Sequence, residues 1–370
     1  MEEKQYPFYL KATVVLFGLI LSVYALANLQ GILIPLAFAG VFAILLNPLF
    51  TWLQQRKVPR VLAIIISLLL AVLVFGGIMF FLSSQIIRFG DTLPLLKQKF
   101  GALIVEFEKW LQMRFGLTIQ KQVELMDQAL NSGKSYLGST VSSAIGTIGI
   151  IFLLPVYIFL FLFYKPLILN FLFEVFAEEN SVRVSEILGQ TKSAIQSYMV
   201  GLLLEAIIVA IMNSTALLIL GVDYAILLGV IGALLNMLPY IGGLIAIALP
   251  VLIATVSSDG YHTQLGILVA YIIIQFIDNN ILVPRIVSSK VQINALISII
   301  VVLLGGALWG IPGMFLSIPF VAILKIIFDR IQDLKPWGKL LGDTVPTRHK
   351  GEIWNLRRKK RTLTENVTTK

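Results

Sequence analysis

The chain has 370 residues, 58% of them hydrophobic and only 13% charged, with a mean hydropathy of +0.90. Soluble domains spend about a quarter of their residues on charge, so this composition excludes a soluble globular protein and predicts an all-α polytopic membrane protein. The absence of cysteine excludes disulfides and thiolate chemistry; two histidines, His262 and His349, cannot make a histidine metal site alone; and no GxxxxGK[ST] pattern is present to bind ATP. An enzyme, a cofactor and a metal centre are therefore not expected.

A first unit, residues 1–87, reads as three membrane helices. Ala12 to Ala27 is apolar behind the charged start Met1-Glu2-Glu3-Lys4, and Ala25-Leu26-Ala27 imitates a signal-peptidase site. The two acids at the start, and a second span following at once from Ile32 to Leu53, favour an uncleaved anchor. The next loop, Gln54 to Arg60, holds Arg56, Lys57 and Arg60 and no acid, which the positive-inside rule places in the cytoplasm, together with the amino terminus. Val61 to Ser84 is then long enough, at about 1.5 Å per residue, to cross a core of roughly 30 Å.

In the second unit, residues 88–145, the character changes. Seven basic and five acidic residues fall between Arg88 and Ser143, and apolar residues recur in steps of four and three at Leu96, Phe100, Leu103, Phe107 and Trp110. The same steps return after Gly116-Leu117 at Ile119, Val123, Met126 and Leu130. This predicts an extracytoplasmic helical arm whose stripe packs on its own partner helix or on a neighbouring subunit.

Residues 146–198 read as a fourth span, Gly146 to Phe163, followed by a cytoplasmic amphipathic helix that Asn180 or Ser181 could cap. Residues 199–330 read as a transport core. Its first span, Met199 to Leu220, carries Glu205 and Asn213 eight residues apart and so near one face; Glu205 is either an interfacial acid or part of a pathway. Two apolar pairs follow, Ala225 to Leu238 with Leu244 to Val256, and Leu296 to Leu308 with Met314 to Ile327. The connectors Pro239 to Gly243 and Trp309 to Gly313 contain no charge, which suits the tips of re-entrant hairpins better than loops in water, although two full spans would return the chain to the same side. A span with a hairpin, repeated in inverted sense around the span Leu265 to Pro284, is a transporter arrangement. The alternative is that Gly305, Gly306, Gly310 and Gly313 only allow close helix packing. The tail, 331–370, is basic, ends in Arg357-Arg358-Lys359-Lys360-Arg361, and is expected in the cytoplasm against anionic lipid headgroups and not on nucleic acid.

The polar residues that a membrane core least tolerates stand at Asp278, Asn279 and Asn280, because an ionisable side chain at depth costs about 2.5 to 3.5 kcal/mol. Either Asp278 meets a solute, ion or proton, or it forms a structural ion pair with Arg285, two helical turns on.

Asp278-Asn279 with Pro284 (DNxxxxP), the glycine-rich kink closed by Ser317-Ile318-Pro319, and the upstream Leu238-Pro239-Tyr240-Ile241-Gly242-Gly243 together resemble the AI-2E family, also called autoinducer-2 exporters, over about Phe8 to Asp329. The sequence departs from that pattern at Asn294, where many members carry proline, and at Ser288-Ser289, where glycine is common. The resemblance implies a bacterial inner-membrane transporter, either an exporter of autoinducer-2 or a sodium/proton antiporter, assembled as a homo-oligomer, a pentamer. The expected pathway for a small polar solute or monovalent cation is lined by Asp278, Asn279, Asn280, Glu205, Asn236 and Arg285 and by the hairpin-tip residues Pro239, Gly242, Gly243, Gly310, Pro312 and Gly313. A scaffold without transport would tolerate loss of Asp278; a transporter would not.

Overall fold

A computed structural model describes residues 7–115, 153–176, 181–238, 242–257, 261–287 and 293–343. The described residues are helical throughout, in the order α1 (Phe8–Asn28), α2 (Gln30–Gln55), α3 (Arg60–Phe115), α4 (Leu153–Phe163), α5 (Lys165–Phe176), α6 (Ser181–Ile219), α7 (Ala225–Asn236), α8 (Gly242–Ser257), α9 (His262–Ile277), a π-helical stretch (Asp278–Val287), α10 (Ala295–Arg330) and α11 (Lys335–Leu341). Among the described residues, six helices are long and apolar enough to cross a membrane. One of the six, α10, is not a straight span. Trp309 (φ −132°, ψ 15°) and Gly310 (φ 62°, ψ −143°) leave the helical region, and Gly310 occupies backbone space that a side chain resists. Residues eight apart in a straight helix lie about 12 Å from each other, yet the backbones of Gly305 and Gly313 touch, and a Cβ on Gly306 would sit 2.9 Å from the Met314 side chain. The chain folds back, and α10 is a helical hairpin of residues 295–308 and 311–330.

A second hairpin precedes it. α7 and α8 have 12 and 16 residues, about 18 and 24 Å of helix, short of a core of roughly 30 Å. With α10 set apart as a hairpin, five single spans remain among the described residues; α4 is the described end of the span expected from Gly146 to Phe163, and α5 turns off from it by 60°. The two hairpins alternate with α6 and α9 in the expected order.

Small residues decide how close α7 comes to α6. A Cβ on Gly229 would lie 2.5 Å from the Ser214 amide nitrogen, and one on Gly232 would lie 3.2 Å from Asn213 Nδ2. Within a membrane, where lipid is as apolar as leucine, such close approach supplies the dispersion contacts that hold helices together. Around the middle of α6, Ile195, Tyr198, Met199 and Leu202 form a core with Val41 of α2 and Leu316 and Ala322 of α10, and both hairpin tips reach it through Met237 and Trp309. Trp309 also donates its indole N–H to the Leu26 carbonyl of α1 at 3.0 Å. The apolar side chains of α1 and of residues 69–81 of α3 point outward, as lipid contact requires.

One detail departs from the divisions drawn on sequence. No helix end separates residues 87 and 88: α3 continues for 56 residues, about 84 Å, so the third span and the first limb of the arm are one rod. Its junction is braced where Phe89 meets Tyr224 edge to face at 5.4 Å. The second limb of the arm, with Ile119 to Leu130, and the cap residue Asn180 lie outside the described residues. Finally, Asn294 does more than replace a proline. Its Oδ1 accepts from Ile297 N–H at 2.9 Å and caps α10, Nδ2 donates to the carbonyls of Leu340 (2.7 Å) and Gly342 (3.1 Å), and its own N–H donates to Leu341 O at 3.1 Å. Proline offers neither the amide hydrogen nor the side chain, so the link between the second hairpin and α11 depends on this residue.

Candidate functional site

Beyond its first turn, which holds His262 and Thr263, the span α9 is apolar except along a stripe that starts at Gln264, runs through Tyr271 and Gln275 and continues to Asp278 just past its end, spaced by seven, four and three residues and hence stacked on one face. That stripe faces the first hairpin and α6. There Val209 and Asn213 of α6, Gly232 and Asn236 of α7, Ala246 of α8, Tyr271, Ile274 and Gln275 of α9, and Asp278 line one small cleft. Asp278 begins the π-helical stretch, where the backbone ladder widens; such stretches recur at functional sites. Its side chain is 2% exposed.

One oxygen of Asp278 is anchored: Asn236 Nδ2, in the last turn of α7, donates to Oδ2 at 2.8 Å. The other is not. Asp278 Oδ1, the Tyr271 hydroxyl and Asn213 Oδ1 are all buried without a hydrogen-bond partner in the structure. Buried polar groups are normally satisfied, and one left unmade costs about 1 to 3 kcal/mol. Three such atoms on residues lining one cleft form a ready-made polar set for something small that brings its own donors. The cleft is closed at the hairpin tip by Gly243, where a Cβ would run into Gln275 Oε1 and lie 3.3 Å from Asn236 Oδ1. Glu205, 5% exposed, stands on α6 one turn before Val209, which lines the cleft.

The residues named on sequence separate into three groups. Asp278, Asn236, Gly243 and Glu205 come together at or beside the cleft. Gly242 stands at the start of α8 with Leu235 O in the space its Cβ would need, and Gly310, Pro312 and Gly313 form the tip of the second hairpin, joined to the first through the shared core on α6. Asn279, Asn280 and Arg285 are exposed: Asn279 accepts from Gln275 at 3.3 Å, Asn280 donates to Phe276 O at 2.8 Å, and Arg285 forms no ion pair with Asp278. The counter-ion expected two turns on is thus absent, because the wider π turn carries residue 285 off the face that residue 278 occupies. Pro239 lies outside the described residues. Sequence reasoning missed Tyr271, Gln275, Gly232 and Ala246. The polar stripe on α9 signals the first two; nothing in the sequence signals the two small residues. Among the described residues, no three acids or histidines gather as a metal ligand set.

Comparison with known proteins identifies the family whose fold holds this polar cleft. Residues 13–333 match the family model described as AI-2E family transporter. The chain belongs to this family. It is 25% identical over 336 residues to the "AI-2 transport protein TqsA" of Escherichia coli (strain K12), covering 90% of this chain and 96% of that protein. It is 26% identical to the "Putative transport protein YrrI" of Bacillus subtilis (strain 168), over 81% of this chain and 86% of the relative. It is 27% identical to the "Putative permease PerM" of Escherichia coli (strain K12), over 82% and 88%. As an AI-2E family transporter, it is a multi-pass membrane protein.

Proposed function

We propose that this protein moves a small, uncharged, hydroxyl-rich solute of the autoinducer-2 type across the bacterial inner membrane, through the cleft around Asp278. The observation that carries this reading is the set of unpartnered buried oxygens on Asp278, Tyr271 and Asn213. Hydroxyl donors can satisfy all three, and no basic side chain lines the cleft to hold a phosphorylated or carboxylated solute. The name of the relative TqsA agrees with such a solute. In this reading both termini are cytoplasmic, the hairpin tips lie at membrane depth, the basic tail rests on anionic headgroups, and the chain works as a homo-oligomer, a pentamer.

A second reading, a sodium/proton antiporter of the same family, draws on two buried acids, Asp278 in the cleft and Glu205 one turn before the cleft residue Val209. Two neighbouring carboxylates without a basic partner disfavour double ionisation, so a cation or a proton bound between them would be exchangeable. The full chain reconstituted in liposomes separates the two. Solute flux should appear with autoinducer-2 inside and without an imposed sodium gradient. Sodium-driven proton movement with no solute flux would instead establish the antiporter.

A further inference from the structure

Nearer the start of α6 than the cleft, three cations stand where α4 bends into α5. Arg60, the first residue of α3, donates from one guanidinium nitrogen to the carbonyls of Leu162 (3.2 Å) and Phe163 at the end of α4, and lies 5.3 Å over the Phe163 ring. Lys165, the first residue of α5, donates to Oδ1 of buried Asn47 at 2.8 Å. Burial first, then the positive charges of Lys192 on the packed helix α6 and of Arg60, hold the pKa of the Lys165 ammonium below its ordinary value. Among the described residues the ion pairs are Lys325 with Asp329 and Arg330 with Glu186, so none of these three cations has a carboxylate partner. Three like charges, two of them half-buried, repel one another unless an anion joins them. Donors remain for it: among the described residues Lys165 uses one of three and Arg60 bonds through one guanidinium nitrogen. Both α3 and α5 begin at this corner, with the positive ends of their dipoles.

The flanks identify the anion. Along α5, Leu167, Phe171 and Val175 stand four residues apart on one face and are 64%, 59% and 54% exposed, and on α4 Val156 and Leu160 are exposed likewise. An apolar slope rising from a cationic corner fits a phosphate that carries acyl chains; a free phosphate ion would have no use for it. We propose that the α4–α5 elbow is a binding site for the phosphate of an anionic phospholipid, held by Arg60, Lys165 and Lys192 with its chains along α4 and α5.

The test uses the full-length protein, delipidated in detergent at about 0.5 M salt, which screens charges in water more than those of a half-buried corner. Thermal unfolding is followed against dioctanoyl phosphatidylglycerol, dioctanoyl phosphatidylcholine and inorganic phosphate. Phosphatidylglycerol should raise the unfolding temperature of the wild type and phosphatidylcholine should not. Lys192→Gln, on the exposed surface of α6, should weaken the phosphatidylglycerol effect about five-fold in concentration, and Lys165→Gln with Lys192→Gln about twenty-five-fold. Should the double variant fail to fold, Lys192→Gln alone still decides. Equal stabilisation of variant and wild type by phosphatidylglycerol would overturn the site, and equal stabilisation by inorganic phosphate would overturn the lipid as its occupant.

Discussion

Asp278→Asn should yield a folded protein whose solute flux falls about 10- to 100-fold, toward that of empty liposomes. The substitution keeps the size of the side chain, and its amide oxygen can accept from Asn236 Nδ2 as Oδ2 does at 2.8 Å, so α7 stays tied to the π-helical stretch. What disappears is the free acceptor Oδ1 in its ionisable form, and hydrogen bonds to a charged group contribute about 1.5 to 3 kcal/mol, the source of the expected factor. The competing account, in which Asp278 is a structural partner of Arg285, predicts lost stability that Arg285→Gln would restore. Arg285 is exposed and unpaired with Asp278, so that second substitution should change neither stability nor flux. Near wild-type flux in Asp278→Asn liposomes would remove the acid from the pathway.

The second large effect falls on the hairpin tips. Gly313→Ala places a methyl group against the Gly305 carbonyl, and Gly242→Ala places one against Leu235 O. In both cases the obstacle is backbone, which cannot swing aside as a side chain does. Inserting a methyl group into packed structure costs about 1 to 3 kcal/mol, and here the hairpin must open to admit it. Each variant should lower the unfolding temperature by several degrees and the yield of monodisperse protein with it. Gly243→Ala makes the useful contrast, because its Cβ meets the end of the flexible Gln275 side chain; it should fold nearly normally and disturb the cleft. A Gly313→Ala protein as stable as the wild type would contradict the folded-back form of α10.

Much of this architecture is legible in the sequence, and for a physical reason. Uncharged connectors such as Trp309 to Gly313 carry residues that break helices and lack those that water favours, so a hairpin tip announces itself without any long-range information. The same holds for Asp278, whose insertion cost marks it within an apolar run. The partners of Asp278 were less legible. Asn279 and Asn280 are as polar and adjacent in sequence, yet consecutive residues on a helix point about 100° apart, and only residue 278 faces the bundle. Arg285 would fall near the same face in an ordinary α-helix; the π-helical stretch, which no periodicity foretells, turns it away. Asn213 and Asn236 reach the cleft from α6 and α7, and Gly232 and Ala246 line it by being small, a role that depends on what packs opposite. The continuity of α3 through residues 87 and 88 was hidden because the change in composition there marks the end of lipid and not the end of helix.

The claim that the cleft is the route of transport is tested most directly at Ala246, which lines it and is 3% exposed. The chain contains no cysteine, so Ala246→Cys introduces a single thiol. In liposomes supplied with autoinducer-2, a small polar methanethiosulfonate reagent should label this thiol as the cleft opens during turnover, labelling should be slowed by excess solute, and flux should stop as labelling completes. Flux that continues undiminished after complete labelling, or a thiol that never reacts while solute is moving, would contradict the account.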